Sequence, residues 1–152
     1  MDIGDTAPAF TLDDETGEAR TLDGLLESGP VVLFFYPQAM TAGCTAEACH
    51  FRDLAHEFKA LGATPVGISH DSVDRQAAFA EKHSFGYPLL SDPEGKVAQA
   101  FDVRRKLGLV STKRKTFVID ENRTVIGAFK SELNMNAHAD KALELLRKHK
   151  AK

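Results

Sequence analysis

Residues 30–61 read PVVLFFYPQAMTAGCTAEACHFRDLAHEFKAL. Val31 to Tyr36 is an apolar run with little alternation, the pattern of a strand covered on both faces. Pro37 ends it, because proline cannot donate to a ladder. Gln38 to Gly43 form a loop leading to Cys44. From there Ala48, Phe51, Leu54, Ala55, Phe58 and Leu61 recur at the three-and-four spacing of one buried helical face, which predicts a helix running to about Leu61. Gly62 is placed to end that helix, and Thr64 to Ser69 reads as the next strand. Strand, helix and strand at this spacing make a βαβ unit, so the two strands should be parallel.

The remaining elements arrange themselves around that unit. Pro8–Leu12 and Glu18–Leu22 are short β-like runs with a turn at Asp13–Gly17 between them, read as an N-terminal hairpin. Asp23–Glu27 suits one helical turn. Ser72 can cap a helix to about Lys82, with Val73, Ala77 and Ala80 on one side and Phe79 near it. Phe85–Leu90 is a short strand region, Asp92–Gly95 a turn, and Val97–Phe101 a short helix. Arg104–Arg114 is basic and loop-like. Thr116–Asp120 and Thr124–Lys130 form a second hairpin. Asn136 or a neighbour caps a last helix with Ala139, Ala142, Leu143 and Leu146 as its stripe. No repeat or linker interrupts residues 1–152, so we expect a single α/β domain, a central mixed sheet flanked by helices.

The chain's two cysteines, Cys44 and Cys49, fall in the first turns of the helix in residues 30–61. The first backbone N–H groups of a helix lack intrahelical acceptors and carry partial positive charge. A thiolate set among them is stabilised, so the Cys44 pKa should fall. Thr41 is a candidate helix cap or hydroxyl donor to the sulfur, and Gly43 lets backbone approach it closely. The competing interpretation is a small buried hydrophobe, the common fate of a free cysteine. Cys49 is five residues on, not the Cys-x-x-Cys of a dithiol redox motif. Five helical steps put the two Cα atoms about 8–9 Å apart. A disulfide requires less than about 7 Å. If the pair ever bonds, the first turns must unwind.

The segment Tyr36-Pro37-Gln38-Ala39-Met40-Thr41-Ala42-Gly43-Cys44-Thr45-Ala46-Glu47-Ala48-Cys49 resembles the active site of the Q-type peroxiredoxins, or bacterioferritin comigratory proteins. Members carry Pro-x-x-x-Thr-x-x-Cys, matched by Pro37, Thr41 and Cys44, and often a second cysteine five residues later, matched by Cys49. The resemblance extends from Phe10-Thr11-Leu12 to Thr116-Phe117-Val118-Ile119-Asp120. It implies a thioredoxin-like fold and a thiol-dependent peroxidase acting on hydrogen peroxide and organic hydroperoxides. It implies that Cys44 is oxidised to a sulfenic acid, that Cys49 resolves it as a disulfide, and that a thioredoxin-like dithiol restores both thiols. Pro37 would shield the sulfur from water. Arg114, just before a strand, matches the arginine that reaches the catalytic sulfur. On residue pattern alone it would read as one solvated cation among Arg104, Arg105, Lys106, Lys113 and Lys115. Glu47 matches a glutamate that orients the arginine, although a carboxylate early in a helix is also favoured by the dipole. Where many members read Asp-Asp-Thr-Pro-Gly-Cys, this chain has Ala39-Met40-Thr41-Ala42-Gly43-Cys44, a greasier loop that bears on substrate preference.

The 152 residues are 43% hydrophobic and 27% charged, with a formal net charge of −3. Nothing in that balance points to nucleic acid or an anionic membrane. No apolar run approaches spanning length, and the acidic start lacks a signal-peptide pattern, so a cytoplasmic location is expected. In a reducing compartment two cysteines are more often redox-active than structural. Glu47-Ala48-Cys49-His50 matches Glu-x-x-His only once, where a di-iron bundle needs two copies. His56-Glu57 lacks the second histidine of a zinc-protease helix. The six histidines read as satisfied or exposed, and no metal or organic cofactor is expected. The partners expected are a hydroperoxide and a dithiol reductant, with the chain a monomer or weak homodimer. A redox-sensing module and a protein disulfide oxidoreductase are the other classes open, and the spacing of five counts against the second.

Overall fold

The computed structural model describes residues 1–103, 114–130 and 134–151. Among the described residues seven strands form one mixed sheet in the order β2-β1-β5-β4-β3-β6-β7. The expected hairpin is β1 (Thr11–Asp13) against β2 (Ala19–Thr21), antiparallel, and β1 also pairs β5 (Leu89–Ser91). β3 (Val31–Phe35) lies parallel to β4 (Thr64–Ser69) and antiparallel to β6 (Lys115–Ile119). β5 is parallel to β4, and β7 (Val125–Lys130) closes the sheet against β6.

β3 shows why its sequence has no polar face. All five of its residues are buried. Because side chains alternate across a strand, Val31, Leu33 and Phe35 enter one apolar cluster while Val32, Phe34 and the following Tyr36 enter the other. The first cluster is completed by α1 (Leu22–Leu26) and α5 (Lys96–Ala100). The second gathers α2 (Ala42–Asp53), α3 (Ala55–Ala60), α4 (Val73–His83) and α6 (Met135–Ala151). Each buried phenylalanine contributes roughly 1.5–3 kcal/mol of hydrophobic stabilisation. Phe34 stacks on Phe51 of α2 at 4.2 Å between ring centroids, which fixes the cysteine helix to the central strand. Gly67 of β4 makes room for this face: an added Cβ would lie 3.0 Å from the Phe34 ring and 3.1 Å from that of Tyr36.

The structure departs from the sequence expectation in three places. The single helix expected to Leu61 is two, α2 and α3, jointed at Leu54 (φ −96°, ψ 8°), with no glycine or proline to mark the break. The buried side of α4 is Gln76 and Phe79, not Val73, Ala77 and Ala80, which are only partly covered. Gln76 is buried because both ends of its amide are used: Tyr36 Oη donates to its Oε1 at 2.5 Å, and its Nε2 donates to the Leu90 carbonyl at 2.8 Å. The strand in Phe85–Leu90 is confined to Leu89–Ser91, while Phe85 and Tyr87 are buried in irregular chain. The neighbour that caps α6 is Asn134, whose Oδ1 accepts from the Ala137 N–H at 3.2 Å, rather than Asn136. The basic stretch 104–113 lies outside the described residues. Among the described residues no helix is long and apolar enough to cross a membrane.

Candidate active site

Cys44 is the third residue of α2, whose N-cap position is Thr41 in extended geometry. The first intrahelical bond runs from Thr45 N–H to the Thr41 carbonyl, 2.9 Å. The Cys44 N–H is therefore one of the terminal donors with no carbonyl one turn back. Cys44 shares the apolar cluster beneath α2 with Tyr36 and Ala39 and is 1% exposed. Arg114, immediately before β6, donates from Nη2 to Cys44 Sγ at 3.2 Å. That contact joins positions seventy apart in the chain. A guanidinium, always charged, facing a sulfur at a helix N-terminus favours negative charge there from two directions.

Behind the arginine stands Glu47, wholly buried, with Oε1 3.6 Å from Arg114 Nη1. This is ion-pair distance rather than a hydrogen bond. Glu47 Oε2 lies 3.5 Å from His138 Nε2 of α6, and His138 Nδ1 is 2.7 Å from Thr116 Oγ1 of β6. Of the residues expected from sequence, the structure thus brings Cys44, Arg114 and Glu47 together. Pro37 follows the buried Tyr36 and is half-buried. Thr41 is where a cap should be, but its hydroxyl makes no cap bond; it donates to the Gln38 carbonyl at 2.9 Å instead. Cys49 lies in the same helix, partly exposed, and both thiols are free.

Cys49 has its own setting. Its Sγ is 3.8 Å from His83 Nδ1 at the end of α4. Burial, then the nearby Lys82 and Arg52 charges, holds the His83 imidazole below its ordinary value. Tyr87 Oη donates to the Ala48 carbonyl at 2.7 Å, and Arg52 Nη1 to the His83 carbonyl at 2.8 Å. Tyr36, its phenol pushed well above the usual range chiefly by burial, stays neutral and serves as a donor.

Two residues of this arrangement escaped the sequence reading. Asp71 accepts from the Ala39 N–H at 2.7 Å and from Ser69 Oγ at 2.6 Å, tying the loop before Cys44 to the start of α4. That loop also holds Met40 at φ 70°, a left-handed conformation rare outside glycine, with the side chain 40% exposed. His138 was one of six scattered histidines, and no local motif marks it. Among the described residues no group of three or more His, Cys, Asp or Glu side chains could hold a metal ion.

The AhpC/TSA family model matches residues 3–128. The crystal structure of peroxidoxin BcpB from Mycobacterium tuberculosis superposes with a TM-score of 0.94 at 58% identity, covering 97% of each chain. Chloroplastic peroxiredoxin Q of Sedum lineare is 40% identical over 143 residues, 94% of this chain and 76% of the relative. The bacterioferritin comigratory protein of Xanthomonas campestris, studied for alkyl peroxide reduction, gives a TM-score of 0.86 at 31% identity over 93% of this chain and 92% of its own. A helix-terminal thiol facing an arginine, on this thioredoxin-like sheet and in this company, makes the chain a member of the AhpC/TSA family, a peroxiredoxin of the Q or bacterioferritin comigratory type that reduces peroxides with thiols.

Proposed function

We propose that Cys44 is the peroxidatic residue and Cys49 its resolving partner. The observation that carries this is the 3.2 Å contact between Arg114 Nη2 and Cys44 Sγ at the start of α2. The Cys44 thiolate attacks one peroxide oxygen; the O–O bond breaks, and the other oxygen leaves with a proton as water or an alcohol. Arg114 and the terminal N–H groups of α2 stabilise charge on the departing oxygen. The Thr41 hydroxyl, now on Gln38, turns to the peroxide when it binds, and Pro37 limits access of water. Glu47 orients Arg114.

The Cys44 sulfenic acid then condenses with the Cys49 thiol, forming S–S and releasing water. In an α-helix these positions are about 8–9 Å apart, so the first turns of α2 unwind before the bond forms. A thioredoxin-like dithiol reduces the disulfide and is itself oxidised. Both hydrogen peroxide and organic hydroperoxides are substrates in this reading. The apolar Ala39-Met40 pair and the alkyl peroxide activity studied in the Xanthomonas campestris relative support the organic class. A cytoplasmic setting, where dithiols keep cysteines reduced, and a monomer or weak homodimer complete the reading.

The test is the mass and free-thiol count after one equivalent of hydrogen peroxide, for wild type and Cys49→Ser. We expect wild type to lose two hydrogens and both thiols, and the variant to gain one oxygen at Cys44. Wild type that stops at the oxygen adduct would remove Cys49 from the cycle. An unreactive Cys44 would remove the whole assignment.

A further inference from the structure

We propose that His138 is a positioning residue for the peroxidatic cysteine, acting from the last helix through Glu47 and Arg114. The inference rests on Cys44 being the nucleophile. Its basis is a run of polar side chains through the core: Cys44 Sγ to Arg114 at 3.2 Å, Arg114 to Glu47 at 3.6 Å, Glu47 to His138 at 3.5 Å, and His138 to Thr116 at 2.7 Å. Arg114 is 6% exposed, His138 1%, and Glu47 and Thr116 are fully buried. Ionic and polar groups removed from water are retained only when partners hold them, and each group's orientation is set by the next.

The geometry divides the imidazole between two tasks. Nε2 faces the Glu47 carboxylate and Nδ1 faces the Thr116 hydroxyl. With its proton on Nε2, His138 donates toward Glu47 and accepts the Thr116 hydroxyl proton at Nδ1. One carboxylate oxygen of Glu47 then stands at ion-pair distance from His138 Nε2, 3.5 Å, and the other at 3.6 Å from Arg114 Nη1. The second arm of the same planar guanidinium is the donor to sulfur, so a turn of the Glu47 carboxylate carries Nη2 off the thiolate. α6 thereby supplies a part of the site that no residue near Cys44 in sequence provides.

Asparagine and glutamine separate the two tasks. The Asn amide oxygen, placed where Nδ1 stands, accepts from the Thr116 hydroxyl and keeps only the Thr116 side; the Gln amide nitrogen occupies the place of Nε2 and keeps only the Glu47 side. The measurement is the single-turnover rate of Cys44 oxidation by hydrogen peroxide, read by rapid quench, thiol alkylation and mass. Since an ångström of misplacement costs up to about a hundredfold in rate, we expect His138→Asn to slow the step at least about tenfold and His138→Gln to recover it to within about threefold. On a Glu47→Gln background, already slow, adding His138→Asn should change the rate by less than about twofold, because the two act as one unit. Circular dichroism and thermal melting verify that each variant is folded. The proposal is overturned by the reverse order of the Asn and Gln variants, by equal rates for both, or by full additivity with Glu47→Gln. These outcomes leave the peroxidatic assignment standing, since wild type still forms its sulfenic acid; failure of that assignment shows instead as an unreactive wild-type Cys44.

Discussion

Arg114 and Cys44 meet at 3.2 Å although seventy positions separate them, and the arrangement asks more of the arginine than charge. One guanidinium nitrogen serves the sulfur while another faces Glu47, a division that a lysine ammonium at the end of a flexible stem cannot reproduce. Arg114→Lys should therefore slow Cys44 oxidation by about 10²-fold, in the range seen when one preorganised donor is lost from a reacting centre. Rapid-quench oxidation with hydrogen peroxide, alongside far-UV circular dichroism, checks this; a lysine variant at wild-type speed would mean that net charge alone is what the site requires. Thr41 illustrates a role that depends on state. Its hydroxyl donates to the Gln38 carbonyl in the resting chain, so the role proposed for it at the peroxide requires that bond to break.

In the proposed cycle helix α2 must be both formed and breakable. Formed, it aims its N-terminus at Cys44; its grip on the rest of the domain comes from the Phe34–Phe51 stack, the Tyr87 bond to the Ala48 carbonyl, the Arg52 bond to the His83 carbonyl and the 2.7 Å contact of His50 with Asp140 on α6. The Ala48 carbonyl lies between the two cysteines, so the Tyr87 hydroxyl resists the unwinding that a Cys44–Cys49 disulfide needs. Tyr87→Phe deletes that donor while keeping the ring, at a cost of about 0.5–1.5 kcal/mol to the wound state. We expect disulfide formation after peroxide treatment to accelerate severalfold, with faster amide hydrogen exchange across residues 44–53. Unchanged exchange and an unchanged rate would show that another contact controls the opening. His83 Nδ1 stands 3.8 Å from the Cys49 sulfur, its imidazole held below its ordinary value chiefly by burial.

Across the whole molecule the N-terminal hairpin is a stabilising border remote from the chemistry. Asp14 is fully buried and holds the hairpin turn: its carboxylate accepts from Thr16 N–H and Oγ, Glu18 N–H and Arg20 Nε. Burial opposes its ionisation, but these bonds outweigh burial and keep the carboxyl below its ordinary value. A carboxylate with a lowered folded-state pKa adds stability that is complete at neutral pH and is lost as pH falls below 3.8 and through the folded value. Asp14→Asn should cost about 1.5–3 kcal/mol in urea unfolding at pH 7, lose most of that difference in the acid limb, and leave the rate of Cys44 oxidation unchanged. A variant as stable as wild type at neutral pH would contradict the assignment.

What the chain determined by itself is what local periodicity and local chemistry can carry. The unbroken apolar run at Val31–Tyr36, the turn at Asp13–Gly17, the stripe Ala139, Ala142, Leu143 and Leu146, and a thiol at a helix start are all consequences of nearest neighbours. So is the βαβ unit, because a crossover of that length has one preferred hand. Arg114 and Glu47 were legible only through resemblance, since on pattern alone each had an ordinary surface explanation. The joint at Leu54, the burial of Gln76, the hold of Asp71 on the Ala39 loop and the placement of His138 behind Glu47 were decided by tertiary structure. The last three depend on polar groups brought from distant positions into a low-dielectric interior, where a buried donor or acceptor must find its partner wherever the sheet and helices put one.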